Sequence, residues 1–150
     1  MQVTQKESGL LKDLKDQEKL CVEKYTKHAS DAHDPQLKNL FSQIAQIEQQ
    51  HLQTVEEMAQ GTVKEGNGDT ITQPTFTAYY NGGDSREKQA DSYLCSDVLA
   101  TEKHASHLYD TCIFEFTDVQ ARNVLNRIQK EEQQHGKMIY DYMKTNGMYS

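Results

Sequence analysis

The chain has 150 residues and a net charge of −7, enough length for one domain with one core. With no basic stripe and no aromatic–basic interleaving, it is not built to bind nucleic acid. No apolar run is long enough to cross a bilayer, and the opening MQVTQKESG lacks the charged and apolar regions of a signal peptide, so synthesis in the cytoplasm is expected.

Thr4-x-x-Glu7 reads as a capping box that opens a first helix running to about Ala32. Asp34-Pro35 is an N-cap followed by proline at the first helical position, and a second helix runs from there to about Gln60, before Gly61. The stretch GTVKEGNGDTITQPTFTAYYNGG has no helical period. Its length suits a connection that travels the length of a bundle and starts the third helix at the far end. Asp84-Ser85-Arg86-Glu87 offers a cap box for that third helix, which ends near Phe116. Asp118 caps a fourth, which stops at Asn146-Gly147. The expected fold is all-α: a single domain over 1–150, with a helical hairpin at 4–60, a crossover at 61–83 and a second hairpin at 84–146, in a four-helix bundle.

Leu, Ile, Val and Phe make up about 19% of the chain, so the core is thin and would gain from a ligand or a partner subunit. Cys21, Cys95 and Cys112 are odd in number and widely spaced. They give neither a disulfide framework nor a CxxC zinc pattern, and read as reduced core thiols.

The two hairpins repeat one another. A gapless shift of 84 residues matches Asp13 with Asp97, Glu18 with Glu102, Lys19 with Lys103 and Tyr25 with Tyr109. It also matches Asp34, Gln36, Asn39 and Ile44 with Asp118, Gln120, Asn123 and Ile128, and sets Glu48-Gln49-Gln50-His51 on Glu132-Gln133-Gln134-His135.

Steps of three and four residues define the buried seam of each helix. The seams are Leu11, Leu14, Glu18, Cys21, Tyr25, His28 and Ala32; then Leu37, Phe41, Ile44, Glu48, His51, Val55 and Met58. The third and fourth are Cys95, Val98, Glu102, Ala105, Tyr109, Cys112 and Phe116; then Ala121, Leu125, Ile128, Glu132, His135, Ile139 and Tyr142. Each carries a glutamate near its middle, and two add a histidine one turn on. Four carboxylates in one core repel each other and are costly to bury, yet no lysine or arginine holds a seam position. Two divalent cations would balance the four charges, and two neutral imidazoles would complete the set. The expected metal ligands are therefore Glu18, Glu48, His51, Glu102, Glu132 and His135, and carboxylate with imidazole suits iron or manganese. A single Glu-x-x-His on a helix most often marks a solvated face; the duplication, with a seam glutamate 30 residues earlier each time, is what favours ligation.

Tyr25 and Tyr109 follow Glu18 and Glu102 by two turns. They are read either as core packing or as hydrogen-bond donors to a ligand carboxylate. His28, His33, His104 and His107 have no histidine counterpart under the repeat and are read as ordinary helix residues.

Glu, Glu-x-x-His, Glu, Glu-x-x-His across four helices with a long middle crossover resembles the di-metal carboxylate pattern of ferritin-like proteins. DVLATEKHASHLYDTCIFEFTD, RIQKEEQQHGKMIYDYM and the ending NGMYS resemble the spore coat protein F family of spore-forming bacteria. The resemblance implies that Glu48 and Glu132 bridge the metals, that Glu18 and Glu102 are terminal ligands, and that His51 and His135 each complete one metal. Ferritin-like relatives such as rubrerythrins also have a tyrosine at the place of Tyr25. The implied role is a protein of the spore coat, made during sporulation, that retains the site, with other coat proteins or a second copy as partners. The tyrosines Tyr79, Tyr80, Tyr140, Tyr142 and Tyr149 suit coat contacts or cross-links. The alternative is an oxidoreductase using paired iron or manganese on O2 or H2O2.

Overall fold

A computed structural model describes residues 1–66, 68, 72–81 and 83–149. Residues 67, 69–71 and 82, all in the expected crossover, and Ser150 of the NGMYS ending lie outside the described residues.

Four helices account for the regular structure, and there is no strand among the described residues: α1 Gln5–Asp31, α2 Pro35–Ala59, α3 Arg86–Glu115 and α4 Val119–Thr145. Their ends follow local chemistry. Thr4 accepts from the Glu7 amide while Glu7 accepts from the Thr4 amide, so both halves of the capping box are made. Asp34 accepts from the Gln36 amide with Pro35 behind it, and Asp118 accepts from the Ala121 amide. At α3 the cap is Ser85, accepting from the Lys88 amide, and not Asp84. The hydroxyl one residue further on reaches the third helical amide, which leaves Asp84 at the surface beside Lys88.

α1 packs on α2, α3 on α4, α1 on α3 and α2 on α4. The contacts of the segment between α2 and α3 run along the molecule. Glu65 accepts from Asn123 near the start of α4, Gln73 donates to Asp141, and the Tyr79 amide donates to Asn146 at its end.

The core is apolar at both ends and polar in the middle. One cluster gathers Leu11, Leu14, Val55, Met58, Phe116, Leu125 and Ile128. The other gathers Leu37, Phe41, Ile44, Cys95, Val98, Ile139 and Tyr142. All three cysteines are buried free thiols, as expected. Beyond the second cluster lies a polar network: Asp91 accepts from the His33 and Asp34 amides and from the Tyr80 hydroxyl, while Tyr142 donates to Asp34 at 2.7 Å. Asp34 and Asp91 are both fully buried and so tie the α1–α2 junction to α3 and α4. Tyr142 is spent here and cannot serve an outside partner, whereas Tyr79, Tyr93 and Tyr149 are exposed.

Candidate metal centre

Between the two apolar clusters lie all six residues picked out by the seam pattern. Glu18, Glu48, Glu102, Glu132, His51 and His135 are each at most 2% exposed. They fall into two groups whose ligand-type atoms lie within 4.8 Å of one another: Glu18, Glu48, His51 and Glu132; and Glu48, Glu102, Glu132 and His135. Glu48 and Glu132 belong to both. The two imidazoles face each other with ring centroids 6.0 Å apart and planes 24° from parallel.

Proximity here is not pairwise bonding. His51 Nδ1 lies 2.7 Å from Glu132 Oε1, yet the two are not aligned for a hydrogen bond, and both remain buried atoms without a partner. The same holds for Glu132 Oε2, Glu18 Oε2, Glu48 Oε2 and Glu102 Oε2. Buried polar atoms are nearly always paired, so orphaned oxygens gathered this closely form a donor set that could hold a metal ion. The donors fit the group: carboxylate and imidazole, no thiolate.

The electrostatics agree with a centre that protonates to stay together. Burial, reinforced by Glu48, pushes Glu18 well above the ordinary carboxylate range. Burial, with Glu102, Glu48 and Glu18 nearby, does the same to Glu132. Burial also acts against Glu48, but the hydrogen bond to His135 and the nearby His51 ring outweigh it and hold Glu48 well below that range. The histidines move up. Burial opposes this, but the bond to Glu131 and then Glu48 raises His51, and Glu102 and Glu48 carry His135 to about 10.

The tyrosines are crossed between the repeats. Tyr25 on α1 donates to Glu102 on α3 at 2.6 Å, and Tyr109 on α3 donates to Glu18 on α1 at 2.9 Å. Each therefore fixes one oxygen of the glutamate on the opposite helix and leaves the second oxygen without a partner. Of the remaining histidines, His28 is bonded to Asp97 at 2.8 Å and takes no part in the two groups.

One residue escaped the seam pattern. Glu131, 4% exposed, accepts from His51 Nε2 at 2.9 Å, and its other oxygen accepts from Arg127 Nη1 at 3.0 Å. Burial would raise it, but His51 and then Arg127 hold it below the ordinary range, so it is a carboxylate and His51 Nε2 carries the hydrogen. The sequence signal was the doubled glutamate of EEQQH, in which only the second falls on the seam step. Outside Glu131 and Arg127 opens a surface cavity of about 390 Å³, lined also by Gln50, His51, Gln53, Thr54 and Glu57.

An all-α chain of four helices with buried glutamate and histidine groups that could hold a metal ion is the class these observations define. A family model, the Coat F domain, matches residues 90–150, which cover most of α3 and all of α4. That match indicates spore-coat localisation. No helix is long and apolar enough to cross a membrane among the described residues. No curated protein and no solved structure matches the chain.

Proposed function

We propose that this is a spore-coat-associated protein built as one ferritin-like domain of two repeated hairpins, holding two divalent iron or manganese ions between them. The observation that carries the reading is the pair of overlapping groups: each has its own histidine and its own glutamate, and both share Glu48 and Glu132, whose orphaned oxygens have no protein partner to satisfy them. In this reading Glu48 and Glu132 would be shared by the two ions, Glu18 and Glu102 would each serve one, and Tyr109 and Tyr25 hold those two in place. Bound there, two divalent ions would supply the positive charge that four carboxylates in one core otherwise need from protons, and these residues would then tie the four helices together around a small apolar interior. Partners are other coat proteins or a second copy of the chain.

A second reading, an oxidoreductase acting on O2 or H2O2, draws on the cavity that reaches His51 and Glu131 from the surface. A pair of iron or manganese ions would supply two one-electron changes to such a substrate. The chain's part would be to hold the carboxylates and imidazoles and to admit the small molecule beside Glu131.

Turnover separates the two. The coat reading expects protein reconstituted with Fe2+ or Mn2+ to melt higher than chelated protein while H2O2 and O2 electrodes register no sustained consumption. Steady consumption that disappears in Glu132→Ala would replace it with the oxidoreductase reading.

A further inference from the structure

The repeat makes the two groups equivalent in every residue they contain: Glu18 answers Glu102, Glu48 answers Glu132 and His51 answers His135. The position answering Glu131 under the same shift is Ile47, whose side chain accepts no hydrogen bond. Only one of the two imidazoles is thus backed by a repeat-specific carboxylate.

We propose that Glu131 makes the two halves of the centre unequal, fixing His51 so that the group of Glu18, Glu48, His51 and Glu132 takes the first ion and the His135 group takes the second. This rests on the metal-binding reading above. Because Glu131 accepts at 2.9 Å from Nε2, the hydrogen of neutral His51 sits on that nitrogen and the lone pair on Nδ1. Nδ1 is the atom that faces the carboxylates, 2.7 Å from Glu132 Oε1, 3.8 Å from Glu18 Oε2 and 3.7 Å from Glu48 Oε2. A ligand histidine that donates its far N–H to a carboxylate is locked in orientation and is a more basic donor, an effect worth about 10–100-fold in metal affinity.

Glu131 is itself held. Arg127 grips its second oxygen, and Gly68 lies so near the pair that a β-carbon there would collide with Glu131 Oε2 and Arg127 Cδ. Gly68 has a φ of +75°, which glycine adopts without strain. On the inner side His135 matches His51: its Nδ1 lies 2.9 Å from Glu48 Oε1, the counterpart of His51 Nδ1 at 2.7 Å from Glu132 Oε1. The difference lies in the position that answers Glu131, which is Ile47.

Glu131 is a positioning residue, and Co2+ is the probe, because its visible absorption reports each filled site separately from activity. Metal-free protein titrated with Co2+ should fill in two steps, the first about 10–100-fold tighter than the second. Glu131→Ile, which installs the residue of the other repeat, should keep the capacity for two ions but weaken the first step by about that factor and shift its spectrum. Glu131→Gln, which still accepts a hydrogen bond but without charge, should recover part of the loss. Two-ion titrations of Glu131→Ile that superimpose on the unaltered protein would overturn the inference and leave the metal reading standing. Unaltered protein that takes up no Co2+ would overturn both. Should Glu131→Ile not fold, Glu131→Gln decides alone, and an unchanged first step overturns the inference.

Discussion

Stripping the metal should lower the melting temperature by about 15 °C or more near pH 8 and by only a few degrees near pH 5.5. The first figure follows from mass action: an ion at 1,000 times its dissociation constant adds about 4 kcal/mol, there are two of them, and a domain of this size moves by about 2–4 °C per kcal/mol. The pH dependence follows from the directions of the shifts. Glu18 and Glu132 are raised above their ordinary 4.5, so the stability they lend the metal-free fold is complete below that value and is lost as pH rises through their higher values. His51 and His135 are raised above 6.5, and what they lend is likewise lost with rising pH, for His135 through about 10. Glu48 and Glu131 are lowered and run the other way, their contribution vanishing only as pH falls below the ordinary carboxylate range. The metal-free protein is therefore most stable in mild acid and weakens above it. The same four raised groups must each release a proton before a cation can be bound, so metal affinity climbs with pH while metal-free stability falls. Calorimetry with and without chelator at the two pH values checks this. An equal gap at both would mean that proton release is not coupled to the site.

Glu132→Leu should separate holding the metal from holding the fold. Glu132 is fully buried, belongs to both groups and has no hydrogen-bond partner on either oxygen. Replacing it with leucine therefore removes no hydrogen bond, relieves its repulsion with Glu102, Glu48 and Glu18, and adds apolar contact. Chelated Glu132→Leu should melt at or above chelated unaltered protein, by up to about 3 kcal/mol, while losing the stabilisation that metal confers. The order of the two proteins thus reverses when metal is added. A chelated variant several kcal/mol less stable would make Glu132 a member of a structural polar network instead.

What could be read from the sequence was what depends on neighbours along the chain. Thr4 with Glu7, Asp34 with Pro35, and Asp118 each act within one helical turn, so those three helix starts follow from local chemistry. The six clustered residues were legible because helical spacing places each in the middle of an apolar seam, and the repeat says so twice. Glu131 was not, because its role requires knowing that α2 and α4 lie against one another, which brings His51 Nε2 to its side of α4. The crossing of Tyr25 to Glu102 and Tyr109 to Glu18 depends in the same way on α1 packing against α3. Tyr142 stood both in the buried seam and among the tyrosines suited to coat contacts; it is buried, and its hydroxyl goes to Asp34, a partner 108 residues away that no helical spacing reveals. Ser85 displaced Asp84 as a cap through a one-residue choice between two capable side chains.

The most direct measurement is metal per chain after reconstitution with Fe2+ or Mn2+ and desalting, with the Glu48→Ala/Glu132→Ala protein alongside. Two ions per chain, absent from the double variant, is the result expected. No retained metal in the unaltered protein, or equal retention in both, would contradict the assignment of these six buried side chains to a metal centre.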